Sequence, residues 1–213
     1  MKGAVPRLVA ELPTLPPEEM RDGTAGRILA TGLLLFARNG YHGTSIRDIG
    51  EELGLKPANL YDHFRSKEHL LAELVRIGHA EHLRAMQAAV VRADGPIAQL
   101  QALVRAHVRI HAEYAMLATV ATSEMHALSP ELVAPALALR RQAEALLREV
   151  VARGVAAGVF DPPHAWVATA AIGGMGIRVS FWFPGDQGLT IDQVADLHAE
   201  LALRMMTPRP GAR

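Results

Sequence analysis

The chain has 213 residues, with 22 basic against 22 acidic side chains and 50% hydrophobic residues. That composition excludes a disordered chain and leaves room for one domain or two small ones. Cysteine is absent, which excludes a disulfide scaffold, thiolate zinc sites and cysteine nucleophiles.

The first segment, Met1 to Pro17, carries Pro6, Pro13, Pro16 and Pro17 where a signal peptide needs an apolar core. Residues 1–22 read as a flexible, proline-punctuated arm. The longest run without Asp, Glu, Lys, Arg or His, Ala165 to Ile177, is 13 residues and falls short of the roughly 20 that span a bilayer. The expected location is therefore the cytoplasm, with no membrane association. Residues 1–67 hold nine Lys+Arg and eight Asp+Glu, so net charge neither supports nor excludes a nucleic-acid partner.

From Thr24 onward the apolar period is helical and no run of alternating β-branched residues occurs, which predicts an all-α protein. A first helix over about 24–39 ends at Asn39-Gly40. Three short elements follow between Thr44 and Lys67. Ser66 caps a long helix over about 67–92, and Asp94-Gly95-Pro96 opens the next, with proline at the first helical position. Ser129-Pro130-Glu131 repeats that signature and opens a helix to about Ala157. Asp161-Pro162 opens another to about Phe183, broken by Pro184-Gly185. Thr190 with Gln193 three residues later forms a capping box for a last helix over 191–206.

Within the short elements, Thr44 or Ser45 caps a helix whose Ile46, Ile49 and Leu53 lie on one face. Gly54 supplies a tight left-handed turn, and Pro57 starts a second short helix with Leu60 and Phe64 facing the first. Gly50 removes a side chain at the crossing. This is a helix-turn-helix pattern. An ordinary helical hairpin is the alternative that pattern alone leaves open.

The stretch Arg27 to Leu71 closes that choice, because it resembles the DNA-binding domain of the TetR family of bacterial transcriptional regulators nearly position for position. The matching residues are Ile28, Phe36-Ala37, Gly40-Tyr41, Thr44-Ser45-Ile46-Arg47-Asp48-Ile49, Leu60-Tyr61, His63-Phe64, Ser66-Lys67 and Leu70-Leu71. The resemblance implies a three-helix helix-turn-helix domain over 23–70 and a helical ligand-binding and dimerisation domain over 71–213. It also implies a regulator with no enzymatic activity and no cofactor. Positions matching Thr44, Ser45, Tyr61, His63 and Lys67 commonly touch the DNA backbone in that family. Those matching Lys56, Pro57, Ala58, Asn59 and Asp62 meet base edges or nearby phosphates, and Arg47 lies within reach. Hydroxyl, imidazole and ammonium groups are the usual donors to phosphate oxygens. Lys56 stands where a small capping residue is frequent, which weakens the cap and gains a cation. Asp62 either accepts from cytosine N4 or faces solvent.

The resemblance further implies a homodimer paired through the last two helices on a palindromic operator. The interface residues expected are Ala168, Ile172, Gly174, Met175 and Val179 on one helix, with Val194, Leu197, Leu201 and Met205 on the other. Their small and apolar side chains recur at three- and four-residue spacing. A small lipophilic effector is expected between the helices, lined by Leu103, His107, Ile110, His111, Tyr114, Met125, Met175 and Trp182. The polar members of that stripe are either satisfied core groups or pocket lining.

Ser123-Glu124-Met125, Leu128-Ser129-Pro130-Glu131, Leu139-Arg140-Arg141, Gly154 to Phe160 and Trp182-Phe183-Pro184-Gly185 look like the TetR branch that senses acyl-coenzyme A thioesters. The effector classes implied are acyl-coenzyme A, fatty acid and sterol-like rings. Arg140 and Arg141 are then candidates for coenzyme A phosphates, or a solvated helix face. The alternative reading is a histidine-based metal-binding protein or metal-responsive regulator. His107 with His111, and His79 with His82, lie at spacings that could share an ion, with Glu113, Glu124 or His126 as an unassigned third ligand.

Overall fold

The computed structural model describes residues 13–17, 23–183 and 188–207. Most of the arm expected over 1–22, and the Pro184-Gly185 break, lie outside them. The helices are α1 (Thr24–Asn39), α2 (Ile46–Leu53), α3 (Pro57–Tyr61), α4 (Lys67–Val91), α5 (Gly95–Glu113), α6 (Ala115–Ser123), α7 (Pro130–Ala156), α8 (Ala165–Trp182) and α9 (Ile191–Met206). Among the described residues there is no strand, and the all-α expectation holds.

The chain divides into two compact units that are not consecutive in sequence. One comprises Met1–Ala80 with Tyr114–Ala138, the other Glu81–Glu113 with Leu139–Arg213. Helices α4 and α7 therefore each contribute to both.

The first unit closes over Ile28, Leu33 and Phe36 of α1, Ile49 of α2, Leu60 of α3, Leu70 and Leu74 of α4, and Leu117 and Val120 of α6, all essentially inaccessible to water. Leu15, from the proline-rich segment, is buried in the same core. The turn between α2 and α3 is built as its residues require. Gly54 sits at φ 65°, ψ 30°, the left-handed region, which glycine enters without a Cβ penalty. A Cβ on Gly50 would stand 2.8 Å from the Leu55 carbonyl oxygen, so that glycine makes room for the turn. Ser45 and Asp48 form a reciprocal capping box on α2, each side chain satisfying a backbone N–H that the helix leaves unpaired.

In the second unit α5 packs chiefly against α9 and α8. Leu100, Leu103, Val104 and Val108 of α5 meet Ile172 and Val179 of α8 and Val194, Ala195, Ala199 and Ala202 of α9. Small residues on α9 allow the close approach. The Thr190–Gln193 capping box is present. On the surface, Arg105 pairs with Asp196 at 2.6 Å and Arg109 with Asp192 at 2.8 Å, contacts worth about 0–1 kcal/mol each when exposed.

Two boundaries differ from the sequence reading. The helix from Pro96 was expected to carry Leu103, His107, Ile110, Tyr114 and Leu117 on one stripe. Instead it ends at Glu113, Tyr114 has φ −111°, ψ 44°, and α6 begins at Ala115. No glycine or proline marks this break, and Tyr114 and Leu117 belong to the first unit. Helix α8 starts at Ala165 instead of Asp161-Pro162, with the His164 ring accepting from the Val167 N–H; two adjacent prolines hold the entry extended.

Candidate functional site

Two regions gather the side chains singled out in the sequence. The first is the helix-turn-helix. Leu60 is the buried residue of α3, and it anchors the helix to the core. Around it Lys56, Pro57, Ala58, Asn59, Asp62 and His63 are all exposed, and the Tyr61 ring is 53% exposed. Five residues make barely more than one turn, so a single apolar anchor leaves every other side chain outward. As the sequence implied, Lys56 provides no side-chain cap; Pro57 at the first position removes one of the N–H groups that would need it. Arg47 and Ser45 are exposed beside this surface. Arg65, which sequence reasoning passed over, is exposed just beyond it.

Thr44 and Lys67 are placed differently from these. Thr44 is buried, and its hydroxyl donates to the carbonyls of Leu35 at 3.1 Å and Gly40 at 3.0 Å. The Lys67 ammonium donates to the carbonyls of Tyr41 and Thr44, each at 2.7 Å, and lies 4.0 Å from the Tyr41 ring centroid. Desolvation lowers the Lys67 pKa, against an opposing pull from Asp48. Thr44 thus ties the α1–α2 connection to the end of α1, and half-buried Lys67 ties it to α4, where a phosphate-binding role was expected of each. Lys67→Met should lower the stability of the chain by about 2 kcal/mol, since two charge-assisted hydrogen bonds are lost and two carbonyls left bare. Chemical denaturation without DNA checks this; an unchanged midpoint would return Lys67 to the role of a surface cation.

The second region lies in the other unit. A cleft of about 360 Å³, its open mouth included, is lined by His82 and Met86 of α4, Leu103, Val104 and His107 of α5, Ala143, Glu144 and Leu147 of α7, and Ile172 and Gly173 of α8. The enclosed part of it is about 60 Å³, well below the roughly 300–1,000 Å³ of small-molecule sites. Of the residues expected to line an effector pocket, Leu103 and His107 do so. His111 stands beside His107, with ring centroids 4.5 Å apart. Ile110 is buried, and Met175 packs against the unit's core. Tyr114 and Met125 pack in the first unit. Trp182 is 42% exposed and stacks on His198 at 6.2 Å. The sequence reading missed His82, Met86, Ala143, Glu144 and Leu147. Their signal was present as four-residue spacings, His82 with Met86 and Ala143 with Leu147.

At the mouth, Glu144 accepts from Arg140 at 2.9 Å and lies 3.8 Å from Arg148. At the wall, three imidazoles converge. His82 Nε2 and His107 Nδ1 are 2.7 Å apart, His107 Nε2 is 3.0 Å from the Gly173 carbonyl, and His111 Nδ1 is 2.7 Å from the His107 carbonyl. A carbonyl only accepts, so His107 carries its proton on Nε2 and receives the His82 N–H at Nδ1. Gly176 lets the ring lie against α8; a Cβ there would stand 2.1 Å from His107 Cδ2.

Burial pushes the His107 pKa down to about 3, helped by His111 and His198 and opposed by the Gly173 carbonyl. In an unfolded chain the ring would titrate near 6.5, so between that value and about 3 the unfolded state binds the extra proton. Stability is then fully present above the upper value and declines as pH falls through this window. From about pH 7 to about pH 5, metal-free protein should lose about 2 kcal/mol on this account. Denaturation at the two pH values, with NMR of the His107 ring, checks it; a ring that protonates near its ordinary value would contradict it.

Helices α8 and α9 split the residues expected at a dimer interface. Ala168, Ile172, Val179 and Val194 are buried within the unit's own core. Met175 and Met205 are half-buried. Gly174 is exposed, with nothing within 4 Å of where a Cβ would be, and Leu197 and Leu201 are 49% and 50% exposed. Val167, at 53%, and Trp182 extend this open apolar face.

No helix among the described residues is long and apolar enough to cross a membrane.

The chain's likeness to known proteins follows the same two-part layout. Residues 28–74 match the family described as bacterial regulatory proteins of the tetR family, and residues 93–206 match the tetracyclin repressor-like C-terminal domain. The HTH-type transcriptional repressor KstR2 of Rhodococcus jostii is 27% identical over 199 residues, covering 89% of this chain and 96% of the relative. A tetR-family regulatory protein from Rhodococcus RHA1, solved by crystallography, is 34% identical with a TM-score of 0.82, covering 87% of this chain and 98% of that one. The crystal structure of AibR in complex with isovaleryl coenzyme A and operator DNA is 25% identical with a TM-score of 0.75, covering 83% of this chain and 96% of that one. A helix-turn-helix built on Gly54 and Leu60, a helical second unit and family matches that together span most of the sequence lead to one assignment: the chain belongs to the TetR family of bacterial transcriptional regulators, proteins that are not enzymes.

Proposed function

We propose that the chain is a ligand-responsive repressor that binds a near-palindromic operator as a homodimer and leaves it on binding an acyl-coenzyme A thioester. The observation that carries this reading is the surface of α3, where one buried leucine holds the helix and seven flanking residues stand outward, Tyr61 among them. In the proposal, Lys56, Pro57, Ala58, Asn59 and Asp62 meet base edges or nearby phosphates, and Ser45, Arg47, Tyr61 and His63 meet the DNA backbone. Thr44 and Lys67 hold the backbone that presents them. Lys67 has a third N–H to offer a phosphate.

The open apolar face of Val167, Gly174, Trp182, Leu197 and Leu201 supports pairing with a second copy, which places two reading heads on one face of the duplex. In the proposal the cleft widens to take a short or branched acyl chain against Met86, Leu103, Val104, Leu147 and Ile172, with Met86 as an adaptable wall. Arg140, paired with Glu144 of the lining, then meets the phosphates of the coenzyme. KstR2 bears the name of a repressor, and AibR was crystallised with isovaleryl coenzyme A and operator DNA; both favour this reading. Release follows if the thioester prefers a conformation whose two heads no longer match the groove spacing, because a ligand with equal affinity for both states shifts nothing.

The test is fluorescence anisotropy of the operator-bound dimer, with thermal shift alongside, against acyl-coenzyme A thioesters, free fatty acids and flat aromatic compounds. Thioesters should raise the melting temperature and release the DNA. Release by fatty acids alone removes the coenzyme from the proposal, and release by neither removes the lipophilic effector.

A further inference from the structure

Of the two histidine pairs expected from sequence spacing, the fold keeps His107 with His111 and separates His82 from the pairing with His79. His82, from α4, joins His107 and His111, from α5, and one ring nitrogen from each of the three lies within 4.8 Å of the other two. All three belong to the second unit, as does every residue that lines the adjoining cleft.

The orientation of the rings matters more than their proximity. His107 turns its Nε2–H to the Gly173 carbonyl and His111 turns its Nδ1–H to the His107 carbonyl. Each ring is thereby held in the tautomer that carries its lone pair on the other nitrogen: Nδ1 of His107, Nε2 of His111. In a metal-ligating imidazole the outer N–H is fixed in the same way on a backbone carbonyl, and the inner nitrogen binds the ion. His82 Nε2 faces the same Nδ1 of His107 at 2.7 Å. We propose that His82, His107 and His111 form a three-histidine site for a divalent first-row transition ion, with zinc the best match, whose remaining coordination position opens on the cleft.

Three neutral nitrogens suit zinc, nickel or copper and leave calcium and magnesium poorly served. Tetrahedral zinc with ligands at about 2.0–2.1 Å separates its nitrogens by about 3.4 Å. Side-chain rotations of around an ångström bring the rings to that spacing, the His82–His107 pair opening and the others closing. The proton that His82 now donates to His107 moves to its own Nδ1, so the ring binds as the other neutral tautomer. One further observation fits. The His107 ring is seated against Gly176, so its inner nitrogen is held in place by the α8 backbone. A three-nitrogen site with an open position is the usual arrangement where zinc meets a fourth, exchangeable ligand; here that position is served by water or by a donor entering the cleft. The ion would join α4 to α5 within the unit.

The experiment uses the full chain, stripped with chelator and titrated with cobalt(II), which reports its geometry in visible absorption. The result expected is one cobalt per chain, with the intense bands of a tetrahedral site, displaced by one equivalent of zinc. His82→Gln and His111→Gln should each weaken binding at least about 100-fold, since even outer partners of such ligands are worth 10–100-fold. His126→Gln, an exposed histidine of the other unit, should leave the titration unchanged. If a variant fails to fold, NMR of the wild-type imidazoles decides: the signals of His82, His107 and His111 must shift together and be complete at one zinc per chain. Weak octahedral bands in the wild-type chain, tetrahedral bands that survive in a folded His82→Gln or His111→Gln chain, or imidazole signals that ignore zinc would each overturn the proposal. No DNA or effector enters the measurement, so its outcome is separate from that of the repressor reading.

Discussion

Gly174→Arg is expected to turn the proposed dimer into monomers while leaving each chain folded. Gly174 lies on the exposed side of α8, and a Cβ built there meets nothing within 4 Å. Within one chain the substitution is therefore free of clash, and it replaces glycine in a helix interior with a better helix former, worth roughly 0.5–1 kcal/mol. Between two chains the outcome reverses. A guanidinium caught in the apolar face of Val167, Trp182, Leu197 and Leu201 would be a buried charge without a partner, at a cost of several kcal/mol. Analytical ultracentrifugation should show half the wild-type mass, with thermal stability of the monomer otherwise intact. Specific DNA affinity should fall by orders of magnitude, because each monomer reads only half of the operator. A dimer that survives the substitution would place the interface elsewhere.

Tyr61→Ala should remove most specific DNA binding and leave the fold unchanged. Tyr61 is 53% exposed, while its neighbour Leu60 carries the packing of α3, so truncation opens no cavity. The expected loss is about 1–3 kcal/mol in binding, or roughly 10- to 100-fold, with the melting temperature constant. Tyr61→Phe separates the two parts of the side chain: loss with phenylalanine assigns the effect to the hydroxyl on a phosphate, and retention assigns it to the ring. A fall in thermal stability alongside affinity would make Tyr61 a packing residue.

What the sequence made legible follows from how local each signal is. The Thr190–Gln193 box, the Gly54 turn and the Pro57 start were readable to the residue because cap and turn chemistry act within three or four positions. The break at Tyr114 was not, since neither glycine nor proline stands there and tertiary packing decides it. The expected dimer face was read as one stripe on each of two helices, and the fold divides both: Ala168, Ile172, Val179 and Val194 are buried, while Gly174, Leu197 and Leu201 are exposed. Helix α8 is apolar nearly all round, from Trp166 and Val167 outside to Ile172 and Val179 inside, and such a helix carries no phase to tell core from open surface.

The residues expected to contact DNA show the complementary limit. Thr44 and Lys67 have the side chains that hold phosphates, and only the fold reveals that their polar groups point at carbonyls of their own domain. His82 lies 25 positions from His107. No periodicity links residues so far apart; the crossing of α4 and α5 does. Of the two histidine pairs drawn from spacing, His107 with His111 belongs to the cluster; His82 joins that pair and not His79, because spacing along one helix says nothing about which faces meet.

The most direct test of the account selects DNA from a random duplex library with the full-length chain, then titrates the enriched sequence with acyl-coenzyme A. The repressor reading predicts a near-palindrome bound by one dimer, with half-site centres about 34–36 Å apart or a multiple of that, and release as the thioester is added. Enrichment of no symmetric sequence, or a symmetric complex that no thioester disturbs at saturating concentration, would contradict it.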